Sequence, residues 1–251
     1  MERSVVIDCF PESAVRYRHG YAVVAVDVIR ATTTAITAAA SGRRCFPVPT
    51  IEMAFGLAQA LDHPLLAGEQ KGIMPMGFDL NNSPTELLAR KDVHRPVVLL
   101  SSSGTRLCYE ASKCQMAFLA CLRNYVSAAH YLAQTFSRVA VIGAGTRGEF
   151  REEDQMCCAW LAENMLTMGY TAGNRYTLEV VRRWSGKPPH AWSENKSASY
   201  LKASGQSADF EFVLSHQSDL TAQFVLQDGE VIMTDDPSGL SCRRENMRCD
   251  V

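Results

Sequence analysis

The chain has 251 residues, 47% hydrophobic and 21% charged, a balance that excludes an intrinsically disordered chain and permits one domain or two. Its 25 basic residues face 27 acidic ones, a formal net charge of −2, without the basic surplus of a sequence-independent nucleic-acid binder. The nine cysteines are odd in number and form no Cys-x-x-Cys pair, which argues against a secreted disulfide framework and for reduced thiols in a cytoplasm.

Residues 1–9 mix acid and base where a secretory signal needs a long apolar run. The most apolar stretch, 21–29, is too short to span a bilayer and contains Asp27, so no membrane partner is expected. A first strand is predicted at 22–26. From Thr50, apolar residues at Ile51, Ala54, Phe55, Ala58 and Leu61 have helical spacing. Ser83-Pro-Thr-Glu86 has the spacing of a capping box, with Pro84 at the first helical position. Strands follow at 96–100 and 138–142, apolar at consecutive positions as in strands covered on both faces, with a weaker candidate at 117–120. Helices are predicted at 124–136 and 152–168, the latter acid-rich in its first turn and stopped by Gly169. Residues 184–190 read as a loop and 197–203 as a short helix ended by Gly205. Residues 224–233 read as a hairpin turning at Asp228-Gly229, and the polar tail after Thr234 is expected to fray. Strands alternating with helices predict an α/β fold of mainly parallel or mixed sheets flanked by helices. The reading is one unit over 1–251, with two α/β lobes dividing near 120–137.

In open α/β sheets ligands bind beyond the carboxyl ends of the strands. Three such ends carry small-residue loops bearing an Arg: Asp27-Val-Ile-Arg-Ala-Thr-Thr-Thr34, Ser101-Ser-Ser-Gly-Thr-Arg106 and Gly143-Ala-Gly-Thr-Arg-Gly-Glu149. A loop of this kind is commonly a turn plus a helix N-cap. Three together suggest an anion pocket, in which backbone N–H groups and guanidinium forks face oxyanions. Candidate binding residues are Thr32, Thr33, Asn82, Ser101, Ser102, Ser103, Gly104, Thr105, Gly143, Gly145, Arg147 and Gly148, with Arg30 and Arg106 as guanidinium groups at the reacting end. No Gly-Lys-Thr/Ser follows, so the sequence is not a P-loop. Residues 143–148 fit Gly-x-Gly-x-x-Gly, a weak signal for a nucleotide-dependent dehydrogenase, with a carboxylate cluster immediately after it.

Acids form the complementary set: Asp27 at a strand end, Glu69 and Asp79 in loops, and Glu149, Glu152, Glu153 and Asp154 around a helix start. Carboxylates beside phosphate-binding loops suggest Mg²⁺, a hard cation with oxygen ligands, although acids in a first helical turn also serve the helix dipole alone. The six histidines lack metal-ligand spacing.

The chain resembles the 2-phosphosulfolactate phosphatases. The likeness rests on 26–34, Gly68-Glu-Gln-Lys-Gly72, Gly77-Phe-Asp-Leu-Asn-Asn-Ser-Pro84, 101–106, and 143–150 with Glu153-Asp154, and continues through 197–205 and Asp209-Phe-Glu-Phe212. Residues 184–195 match least well. The resemblance implies Mg²⁺-dependent hydrolysis of (2R)-2-phospho-3-sulfolactate to 3-sulfolactate and phosphate, a step of coenzyme M biosynthesis, or of another small phosphomonoester. Asp27, Glu69, Glu153 and Asp154 would serve the metal. Either a positioned water or Asp27 itself would attack phosphorus. A non-catalytic anion-binding α/β protein is the alternative. Dimerisation is the default for a chain of this class.

Overall fold

A computed structural model of the chain describes residues 3–145 and 148–236. The larger of two sheets contains β1 (Ser4–Asp8), β2 (Ala22–Val26), β6 (Met116–Ala120), β7 (Arg138–Gly143), β8 (Thr171–Ala172), β9 (Gln223–Gln227) and β10 (Glu230–Thr234), in the order β10-β9-β6-β2-β7-β1-β8. The smaller contains β3 (Cys45–Val48), β4 (Leu65–Gly68) and β5 (Val97–Leu100), in the order β3-β5-β4. Pairing is parallel throughout the small sheet and from β6 to β8 in the large one, while β9 and β10 close its far edge antiparallel. The fold is therefore α/β, with mixed and parallel sheets.

The helices are α1 (Ala31–Ala40), α2 (Ile51–Ala58), α3 (Pro84–Ala89), α4 (Gly104–Ala111), α5 (Tyr125–Thr135), α6 (Glu152–Thr167), α7 (Arg175–Trp184), α8 (Lys196–Ala203) and α9 (Ser207–Ser215), with a 3-10 turn at Pro11–Tyr17. Alternation along the strands assigns the layers. Val24, Val26, Phe118, Val139 and Val141 pack with the apolar faces of α5 and α6. Val23, Ala25, Leu119, Ala140 and Ile142 point the other way, toward α1 and α4 and, beyond them, Cys45, Leu65, Val97 and Leu99 of the small sheet. The outer face of the small sheet, with Leu66, Val98 and Leu100, packs on Ala54 of α2. Helix α1 thus lies between two sheets, and Ala31 through Ala39 are all buried. Its Ala-Thr composition fits that place, because small side chains let both sheets approach the helix closely.

Local signals in the sequence operate as expected. Thr50 Oγ1 accepts from Met53 N–H and Ser83 Oγ from Glu86 N–H, capping α2 and α3. Asp228 and Gly229 both have positive φ, 49° and 83°, the backbone of a type I′ hairpin turn. The expected division near 120–137 does not separate two lobes: β6 and β7 lie on either side of those residues, and both pair with β2. The second sheet comes instead from 45–100, between β2 and β6 in the chain. Residues beyond Asp236, including the tail expected to fray, lie outside the described ones.

Leu119 is fully buried in β6, an interior strand of the large sheet. Leu119→Ala should cost about 2–5 kcal/mol through lost transfer energy and the cavity left behind. Urea unfolding should show a lower midpoint at an unchanged slope.

Candidate active site

A cavity of about 690 Å³ opens at the C-terminal edges of both sheets. The large sheet delivers Asp27, Ile29 and Arg30 after β2 and Glu149 and Arg151 after β7. The small sheet delivers Pro49 after β3, Glu69 to Gly72 after β4, and Ser101 to Ser103 after β5. Helix α8 closes the remaining side with Lys196, Ser197, Tyr200 and Leu201. Register places these ends together: Val26 pairs with Ala120 on one side and Gly143 on the other.

Asp27 is the buried acid of this cavity. Its backbone N–H donates to Thr32 Oγ1 at 2.8 Å, and Gly104 at the start of α4 lies so close that a Cβ there would come within 1.9 Å of Asp27 Oδ2. Ala31 N–H, at the start of α1, bonds its carboxylate. Behind it Glu153 and Asp154 of α6 are also buried. Asp154 Oδ1 accepts from Val28 N–H at 2.7 Å and Glu153 Oε2 from Asn195 Nδ2 at 2.5 Å. Asp27 Oδ1 and Glu153 Oε1 are buried with no hydrogen-bond partner. Burial, and next the charge of Glu153, push the Asp27 carboxyl up to about 7. Burial likewise raises Glu153 and Asp154, while the Arg151 guanidinium opposes the rise at all three. Among the described residues no three acid, histidine or cysteine side chains form a ready-made metal cage. What the trio offers a hard cation is uncompensated negative charge and two bare oxygens, a donor set that suits Mg²⁺.

Arg30 is buried and lines the cavity. Its Nη1 donates to Asp209 Oδ2 on α9, and Asp209 Oδ1 accepts from Ser83 Oγ at 2.7 Å and Thr85 Oγ1 at 2.6 Å. One buried carboxylate therefore fixes both the guanidinium and the start of α3. The neighbouring Asn82 lines the cavity with a buried, unpartnered Oδ1.

Other expected residues hold the walls rather than facing a ligand. Glu69 lines the cavity, but its oxygens accept from Ser102 N–H at 2.7 Å, Ser102 Oγ at 2.9 Å and Gly72 N–H at 2.6 Å. It braces the β4 and β5 loops, with both oxygens accepting hydrogen bonds from them. The hydroxyls of Thr32, Thr33 and Thr105 donate to the backbone carbonyls of Asp27 and Ala120, of Val28 and of Ser101. These bonds fix the strand-to-helix turns. Gly104 is itself such a turn residue, at the N-terminus of α4 beside Asp27. Gly143 packs under Asp154, and a Cβ at Gly145 would lie 2.1 Å from the Cys9 carbonyl, so both permit close backbone packing. Gly148 is in the left-handed region at φ 75° and does not line the cavity. Arg147 lies outside the described residues. Arg106 corrects the expectation made for it. It faces solvent from α4, whose buried residues include Gly104, Thr105, Leu107 and Cys108, and pairs with Glu12 at 2.8 Å instead of entering the cavity.

Arg151, Tyr200 and Asp209 were not singled out by residue pattern. The acid run that begins at Glu152 and the 197–212 segment signalled their neighbourhoods without their roles.

A family model described as 2-phosphosulpholactate phosphatase matches residues 9–225. The chain belongs to that family. A relative named probable 2-phosphosulfolactate phosphatase from Pseudothermotoga lettingae is 33% identical over 190 residues, 75% of this chain and 82% of the relative. Relatives of the same name from Deinococcus radiodurans and Symbiobacterium thermophilum are 31% and 30% identical, over 82% and 85% of this chain and 86% and 94% of their own lengths. By family this phosphatase-type chain is a phosphoric monoester hydrolase. The match covers β2 to α9, and with them Asp27, Arg30, Glu69, Glu153 and Asp209. No helix among the described residues is long and apolar enough to cross a membrane.

The raised Asp27 carboxyl sets a pH dependence. A carboxyl whose folded pKa lies above its unfolded value stabilises the fold below the unfolded value, near 4, and that contribution is lost as pH rises through about 7. Chelator-treated protein should therefore melt at a lower temperature at pH 8 than at pH 5 by scanning calorimetry. The reverse order at the two pH values would contradict the buried, uncompensated carboxyl.

Proposed function

We propose that the chain hydrolyses (2R)-2-phospho-3-sulfolactate to 3-sulfolactate and inorganic phosphate with Mg²⁺, as a cytoplasmic enzyme of coenzyme M biosynthesis. The observation that carries this reading is Asp27, whose buried Oδ1 has no hydrogen-bond partner, in a cavity walled by Arg30, Lys71, Arg151 and Lys196, with buried Glu153 adding its negative charge from α6. Such a site takes a cation and an anion together. Asp27 and Glu153 are the residues that would hold Mg²⁺, with Asp154 adding charge from α6. When bound, the ion supplies Lewis-acid polarisation of the phosphoryl oxygens.

The rest is work for the chain itself. Asp209 holds Arg30 as a fixed donor fork for an oxyanion, pre-organised so that no side-chain ordering is needed on binding. The Ser101–Ser103 turn presents polar groups at the start of α4, where the helix dipole favours negative charge. Glu69 keeps that turn in place through Ser102. Arg151 offsets part of the carboxylate charge that would otherwise repel a phosphoryl dianion. Asp27 either accepts the proton of the attacking water or attacks phosphorus itself. Both routes need Asp27 ionised.

Asp27→Asn is nearly isosteric and removes a buried charge, so the variant should fold and lose at least about a hundredfold in phosphate release. EDTA should abolish turnover of the unmodified protein and added Mg²⁺ restore it. Folded, active Asp27→Asn protein would sink the role of Asp27, and chelator-resistant turnover the role of the metal. A chain that binds the ester but releases no phosphate with Mg²⁺ present would be an anion-binding protein instead.

A further inference from the structure

Lys71 lines the cavity with its backbone in the left-handed region, φ 55°, where a side chain is uncommon. The turn around it is over-determined. Lys71 N–H donates to Ser102 Oγ at 2.6 Å, Gln70 and Ile73 exchange backbone bonds at 2.9 and 3.1 Å, and Gly72 N–H donates to Glu69 Oε2 at 2.6 Å. Tyr200 Oη on α8 donates to the Gly72 carbonyl, and a Cβ at Gly72 would lie 2.8 Å from that hydroxyl. An uncommon backbone conformation held from several sides at a cavity is the pattern that points to function.

The charges around the cavity sharpen the assignment. Arg30 is paired with buried Asp209 and Lys196 with Glu149. Lys71 has no carboxylate partner within 4 Å among the described residues. Its turn is tied through Ser102 to the start of α4, where Gly104 touches Asp27. Lys71 therefore lines the cavity as an exposed residue whose ammonium is not spent on an ion pair among the described residues.

Building on the phosphatase reading, we infer that Lys71 is a specificity-determining residue whose ammonium grips an anionic group of the substrate other than the phosphoryl. A carboxylate and a sulfonate both present the oxyanion this requires, and three phosphate esters separate them. Isopropyl phosphate has neither, 2-phospholactate replaces one methyl with a carboxylate, and phosphosulfolactate adds the sulfonate. In Lys71→Met, kcat/KM for phosphosulfolactate relative to isopropyl phosphate should fall about tenfold or more, equivalent to one lost charged contact. Lys71→Arg should recover most of that ratio. A fall shared by 2-phospholactate assigns the carboxylate, and a fall confined to phosphosulfolactate assigns the sulfonate. A merely structural role would lower all three values together, and a ratio within about twofold of the unmodified protein overturns the inference. Should Lys71→Met lose its fold, Lys71→Gln is read against the same limits. If the unmodified protein releases phosphate from none of the esters, the phosphatase reading fails and calorimetric titration with 3-sulfolactate decides the inference alone. Weaker binding by Lys71→Met supports it, and equal affinity, or no binding by the unmodified protein, overturns it.

Discussion

The structure depends on the burial of three carboxyl groups at one point. Asp27 leaves the central strand of the large sheet there, and Glu153 and Asp154 face it from α6. Removing such charges from water is costly unless they are paired, bonded or matched by a cation. The protein answers part of that cost: Val28 N–H on Asp154, Asn195 on Glu153, Ala31 N–H on Asp27, and Arg151 nearby. The remainder is visible as two bare oxygens and raised carboxyl pKa values. That shortage of positive charge is what supports the proposal of a bound cation.

The two-sheet architecture makes this concentration of charge possible. With α1 and α4 between the sheets, both helices begin at the same edge, and their N-termini approach Asp27 from two directions. The small residues of α1 let the sheets come close enough for the β2, β4 and β5 loops to share one cavity. The last third of the chain closes it. Helix α9 fixes Arg30 through Asp209, and α8 supplies Tyr200 and Lys196. A site assembled from segments nearly two hundred residues apart needs a complete fold, which agrees with a family match running from residue 9 to residue 225.

Much of the fold was legible because burial leaves a periodic trace. Strands covered on both faces, β2, β5 and β7, read as continuous apolar runs, and the caps at Thr50 and Ser83 read as N-termini. Strands β1, β3 and β4 did not read. Strand β3 contains Pro47, a residue that demotes a strand pattern. Asp27 was legible because an acid ending an apolar run is rare unless it is used. Arg106 misled because it shares the Gly-Thr-Arg string of the third loop. The phase of α4, set by Leu107 and Cys108 packing inward, turns it to solvent toward Glu12.

The sequence by itself determined the α/β class, the strand-end loops, the acids at 27 and 153–154, and the family, because these are local patterns or strings in a fixed order. Only the tertiary structure decided which polar groups are spent on the protein and which remain for a ligand. The hydroxyls of Thr32, Thr33 and Thr105 and the oxygens of Glu69 are consumed by neighbouring backbone and side-chain groups. Asp27 Oδ1, Glu153 Oε1 and Asn82 Oδ1 have no such partner. That difference comes from three-dimensional proximity and burial, which residue type and spacing do not encode.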